Sequence, residues 1–160
     1  MTLLIVGLAL WIVAHWMKRL APNVRASLGD AGKGIVAVVL FVGLVLMIIG
    51  YRSAPIIQVW SPPAFLVHVN NLMMVVAVAV FAMAHTKGRL RGRMRHPMLT
   101  SVKIWSLAHL LVNGDLASIV LFGGMLVWAV GSVIMINRAE PWDRPEPGEK
   151  GRDIIFIVIT

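Results

Sequence analysis

Between Leu116 and Ile136 the sequence runs LASIVLFGGMLVWAVGSVIMI, without one charged side chain and with only Ser118 and Ser132 carrying polar ones. About 20 largely apolar residues are enough to carry a helix across the roughly 30 Å of bilayer hydrocarbon. A soluble helix of this length needs a polar face, and this one has none. Three further runs share that character, at residues 3–17, 34–51 and 66–84. A fourth, 98–112, is mostly apolar but covers only about 22 Å as a helix. The expected fold is all-α: a polytopic transmembrane bundle of about five helices, forming one domain over residues 1–160. The short 98–112 segment either thins the bilayer locally or dips in and returns as a hairpin with 116–136. The tight Asn113-Gly114-Asp115 link suits both arrangements.

Composition agrees. The chain is 59% hydrophobic and 14% charged, with a mean hydropathy of +0.84. Soluble domains sit near 45–50% and 25%, so a water-soluble fold is excluded on these grounds. Cysteine is absent, which removes disulfides, thiolate ligands and cysteine nucleophiles. The net charge of +8 invites a nucleic-acid reading, but the fifteen Lys and Arg read as lying at helix ends or in loops, the pattern of a chain orienting in a bilayer. No nucleic-acid partner is expected.

Basic residues alternate from loop to loop. Lys18, Arg19, Arg25 and Lys33 separate the first two helices, whereas the next loop holds only Arg52 among Pro55, Trp60, Pro62 and Pro63. Lys87, Arg89, Arg91, Arg93 and Arg95 crowd the third connection, and Asn113-Gly114-Asp115 carries no basic residue. The positive-inside rule then places the N-terminus in the periplasm and both basic loops in the cytoplasm. Lys18 and Arg19 follow the first apolar run, the reverse of a signal peptide, so that helix is read as retained. Residues 137–152, rich in proline and charge, read as an exposed loop. Residues 153–160 turn apolar again and read as the start of a sixth helix that this chain does not complete.

Intramembrane histidine is costly, so each of the five is weighed for function. His85 and His96 flank the arginine run and His68 stands beside Asn70 and Asn71, so these three read as interfacial. His15 and His109 are embedded among apolar residues, each one turn after a tryptophan, Trp11 and Trp105. Helical spacing puts Trp105, Ser106, His109 and Asn113 on one face, which should turn away from lipid. Such a histidine either hydrogen-bonds a neighbouring helix or, paired with a second inward imidazole on another helix, clasps a haem iron. The arginine run reads as an anchor to anionic headgroups or as a partner for haem propionates or a phosphate. Asp115 is placed to cap the helix that follows it. No catalytic residue stands out.

At Arg95-His96-Pro97-Met98-Leu99, then Trp105-Ser-Leu-Ala-His109-Leu-Leu-Val-Asn113-Gly-Asp115-Leu-Ala-Ser118 and Leu121-Phe122-Gly123, the chain resembles the NnrU family. His15 with Arg25, and Gly50-Tyr51, also look family-like, so the resemblance covers most of the chain. It implies a bacterial inner-membrane protein tied to nitrogen-oxide respiration, through the expression or activity of nitrite and nitric oxide reductases. It also implies a complete final helix, of which residues 153–160 read as the beginning. The family is similar to plant 15-cis-zeta-carotene isomerase, a membrane enzyme with histidine-ligated haem b. That similarity makes His109, thirteen positions after His96, the haem-ligand match, and His15 the opposite ligand. Arg95, His96 and Asn113 complete the expected cofactor-binding set. A polyene isomerisation is the enzymatic extension of the same resemblance.

Two other function classes fit less of the chain. Arg-His-Pro also occurs in membrane methyltransferases related to isoprenylcysteine carboxyl methyltransferase, which would set Arg95 and His96 near S-adenosylmethionine; residues 138–152 hold no counterpart of the acidic and arginine-containing segment those enzymes need. The third class is a non-enzymatic subunit that assembles or stabilises a respiratory or photosynthetic membrane complex, which an apolar chain with short loops suits.

Overall fold

The computed structural model describes residues 1–154 apart from 87, 147, 150 and 153, together with all their side chains but that of Arg91. The expected start of a sixth helix at 153–160 lies outside the described residues, except for Ile154. Among the described residues the chain is all-helical, with no strand and one isolated β-bridge.

Six α-helices follow one another: α1 Thr2–Leu20, α2 Pro22–Ser27, α3 Gly32–Arg52, α4 Leu66–His85, α5 Pro97–Val112 and α6 Leu116–Ala139. Four of them, α1, α3, α4 and α6, are long and apolar enough to cross a membrane, and the chain is accordingly a multi-pass membrane protein. The five long apolar elements fall where hydropathy places them, each running one to three residues further at one or both ends. Sequence reading passes over α2 and two 3-10 turns, Gly29–Ala31 and Arg89–Arg93, because these sit inside the two basic loops and carry no apolar period. One expectation is corrected. Not every basic residue lies at a helix end or in a loop, since Lys103 is the seventh residue of α5. Its four-carbon stem makes that position tolerable, because the ammonium can lean back toward the helix start.

The chain divides into two compact units. The first comprises Met1–Trp60 and Gly114–Gly124. Within it α1 packs along α3 so closely that glycine is required at the contact. A Cβ on Gly7 would stand 2.6 Å from the Gly43 carbonyl oxygen and 2.7 Å from the Met47 nitrogen, and one on Gly50 would strike the backbone of Leu4. Small residues let helix backbones approach where lipid offers no competing hydrophobic force. Leu4, fully buried, sits in this seam.

The same unit holds a backbone clasp between the α3–α4 loop and the start of α6. Val59 and Trp60 N–H donate to the Gly114 carbonyl at 2.8 and 3.1 Å, and Leu116 N–H donates to the Ile57 carbonyl at 2.8 Å. Gly114 fits because a Cβ there would collide with the Trp60 carbonyl oxygen. This clasp holds the α3–α4 loop against the residues that lead into α6. Leu116 follows directly, so the clasp fixes where α6 begins. The 16 residues of α5 cover about 24 Å, less than the hydrocarbon thickness.

The second unit comprises Ser61–Asn113 and Met125–Thr160. Here α4 and α5 form a helical hairpin, pinned by the buried Ser101 hydroxyl, which donates to the Ala77 carbonyl across the helices at 2.8 Å. The segment after α6 stays largely exposed, as its composition implies, yet it is tied to the basic connection. Arg144 Nε donates to the Gly92 carbonyl at 2.8 Å, and a Cβ on Gly92 would come within 2.7 Å of the Pro145 carbonyl oxygen.

Candidate functional site

His15 is on α1, one turn before its end. Its side chain is exposed. The imidazole stacks on Trp11 at a centroid distance of 4.5 Å, and Nδ1 lies 2.8 Å from the Trp11 carbonyl. A carbonyl only accepts, so Nδ1 carries the proton and Nε2 is the ring's acceptor nitrogen. His85, on the last turn of α4, repeats the arrangement, with Phe81 at 4.6 Å and Nδ1 donating to the Phe81 carbonyl at 3.1 Å.

His109, on α5, is half-buried and meets Trp105 edge-on at 5.3 Å. The face it shares is packed as expected, with Ser106 fully buried and Asn113 half-buried. Asn113 ends the helix: its backbone N–H and its Nδ2 both donate to the His109 carbonyl, at 3.0 and 2.9 Å. Those bonds orient the amide, and Nδ2 also approaches His109 Nδ1 at 3.4 Å. Here Nδ1 is the acceptor, so the neutral ring holds its proton on Nε2.

Arg95 and His96 lie where the basic connection enters α5. Arg95 donates from one guanidinium nitrogen to the carbonyls of Glu140, at 2.6 Å, and Pro141, at 3.3 Å. His96 Nε2 donates to Asn137 Oδ1 at 2.8 Å. The pair thus fastens the start of α5 to the end of α6, and nothing in that use favours the S-adenosylmethionine reading. Both also line a cleft of about 510 Å³ with Met94, Met98, Leu99 and Trp142.

Asp115 caps α6 as anticipated. Ser118 N–H donates to its Oδ1 at 2.9 Å and the Ser118 hydroxyl to its Oδ2 at 2.6 Å. Because the Ser118 proton is committed to the carboxylate, the Tyr51 hydroxyl, 2.9 Å away, donates to Ser118 Oγ. A directed chain runs Tyr51 to Ser118 to Asp115. Burial alone would raise the Asp115 carboxyl, but hydrogen bonds from the Ser118 hydroxyl and N–H, together with the Asp115 and Ala117 N–H groups, outweigh it and hold it below the ordinary range.

These residues can be set beside known sequences. The family described as NnrU protein matches residues 3–160. The chain belongs to the NnrU family. No curated protein and no solved structure matches it.

The haem that the NnrU resemblance implies can be tested against the donor set. A metal-bound histidine almost always donates its other ring N–H to a carbonyl, carboxylate or water. His15 meets that requirement through Trp11. His109 meets it only after exchanging tautomers and releasing the Asn113 amide from Nδ1. Among the described residues no group of three or more His, Asp or Glu is gathered that would hold a bare metal ion. Three residues have surroundings that a sequence reading of this NnrU-family chain does not give. Tyr51 acquires its role from Ser118, far along the chain. Lys103 is signalled only as a charge within an apolar run. His85 follows an aromatic residue by one turn, the same spacing that draws attention to His15 and His109.

Proposed function

We propose that this chain is a haem-b-binding protein of the bacterial inner membrane that supports nitrogen-oxide respiration, with the N-terminus in the periplasm. The observation that carries the haem reading is the His15 imidazole, whose Nδ1–H is donated to the Trp11 carbonyl and whose Nε2 is thereby prepared as an iron ligand. His109 is the further ligand that the resemblance implies. Bound haem b would supply a one-electron ferric/ferrous couple, suited to redox sensing or electron transfer toward nitrite or nitric oxide reductase. The protein's part is to hold the His15 ring in its ligating tautomer through Trp11, and to let Asn113 govern whether His109 presents Nδ1–H or accepts at Nδ1. Polyene isomerisation is the extension that the distant carotenoid-isomerase similarity adds to the same site.

The test is the absorption spectrum of detergent-purified protein from cells supplied with ample haem, oxidised and then reduced with dithionite. A Soret band that sharpens, with α and β bands on reduction, is expected. The band should be lost in His15→Ala and weakened or lost in His109→Ala. A flat visible spectrum, or full haem retention in His15→Ala, sinks the assignment.

A further inference from the structure

We propose that the cleft at the start of α5 binds the phosphate of an anionic phospholipid headgroup. All of its lining belongs to the second unit, chiefly residues 94–99, which lead into α5, with Trp142, Asp143 and Pro145 from the segment after α6. Two independent features point to a phosphate.

The first is the polar end of the cleft. Arg95 uses one guanidinium nitrogen on the Glu140 and Pro141 carbonyls. The rest of its planar fork faces the task for which arginine is suited, charge-assisted bonding to phosphate oxygens. α5 opens with Pro97 and has no side-chain cap. Thr100 N–H is taken by the His96 carbonyl, while the N–H groups of Met98 and Leu99 have no acceptor within the helix. Oriented N–H groups at a helix start favour an anion.

The second is Lys103, which lies within the apolar run of α5 and forms no hydrogen bond or ion pair among the described residues. A charge at membrane depth is costly unless it is paired or reaches the interface. Lys103 follows His96 by seven residues, which places both on nearly the same face of the helix. A helical side chain covers the turn before its own Cα, so the patch within reach of Lys103 is that of Leu99, which lines the cleft. A phosphate seated there would face Arg95, Lys103 and the helix start, with Asp143 the one carboxylate in the lining and His96 engaged with Asn137. The apolar lining gives the occupant its second half: Met98, 51% exposed, and Leu99 offer an acyl chain a path along α5.

The same phosphate chemistry could come from a soluble anion, and the experiment separates the two. Delipidated full-length protein in mild detergent is titrated by native mass spectrometry with phosphatidylglycerol, phosphatidylcholine and inorganic phosphate. Phosphatidylglycerol should be retained over phosphatidylcholine, and Lys103→Gln should reduce its retention roughly fivefold, the scale of one basic group at an anionic surface. Leu99→Trp, which fills the cleft, should lower retention of both lipids. Because Arg95 also ties down the segment after α6, Lys103→Gln is the deciding variant, with its elution profile as the folding control. Equal retention of the two lipids, or unchanged phosphatidylglycerol binding in folded Lys103→Gln, overturns the site. Inorganic phosphate that binds alone and displaces the lipid at equal concentration overturns the lipid as occupant.

Discussion

At the scale of single residues, the chain shows how one capping carboxylate is tied to a distant helix. Asp115 satisfies the first turn of α6 through Ser118, and Ser118 in turn receives the Tyr51 hydroxyl. Asp115→Ala removes the cap and should cost about 1 kcal/mol, read as a lower melting temperature in detergent. The pH dependence has a definite sign. A carboxyl held below its ordinary value contributes stability that is complete above the unfolded pKa, about 4, and is lost as pH falls through the lower folded value. Wild-type protein should therefore weaken below about pH 4, while Asp115→Asn, which caps without ionising, should lose that part of the pH dependence. Parallel curves for the two proteins would refute the linkage. The cap itself is legible in Asn113-Gly114-Asp115, because capping depends on neighbours in sequence. The Tyr51 bond is not, since its partner stands 67 positions away. Similarly, the stacking of His15 on Trp11 follows from one turn of helix, whereas its exposure depends on what the rest of the fold leaves uncovered.

At the scale of elements, glycine separates contacts that must be close from positions that are merely apolar. Gly7→Leu or Gly50→Leu forces α1 and α3 apart and should destabilise the protein by at least about 1–3 kcal/mol, the ordinary cost of overpacking. Gly34, near the start of α3, has nothing within 4 Å of an added Cβ, so Gly34→Ala should be neutral or stabilise by up to about 1 kcal/mol. Thermal unfolding of the three variants in one detergent checks the contrast, and equal losses at all three positions would contradict the α1–α3 seam. Gly114→Ala belongs to the same class, because its Cβ would push Trp60 away and open the clasp. A rise in protease cleavage within residues 53–60 reads that opening directly. Hydropathy locates all five long helices, yet it does not distinguish Gly7 from Gly34. Helix existence is a property of a run of residues, and close approach is a property of two runs together.

For the whole molecule, the length of α6 leads to a topological prediction. The clasp holds the start of α6 against the α3–α4 loop, and α6 is long and apolar enough to cross a membrane, so a spanning α6 should deliver the residues after it to the other side. The chain has no cysteine, and single cysteines at Ser61 and Glu146, both exposed, report this without background. An impermeant thiol reagent applied to sealed, oriented vesicles should label only one of the two positions; labelling of both from the same side would contradict the arrangement. The sequence by itself determined the membrane class, the positions of the long helices and the family, because each depends on local apolar length or on a contiguous motif. It left open what holds the start of α6, how the Arg95-His96 pair is used, and which ring nitrogen His15 and His109 offer. Tertiary structure decided those points, because each rests on an acceptor or a backbone brought from elsewhere in the chain or across a helical turn: the Gly114 carbonyl for the α3–α4 loop, the Glu140 carbonyl for Arg95, the Trp11 carbonyl for His15. A hydrogen bond needs distance and direction as well as a suitable partner, and only the folded chain supplies both.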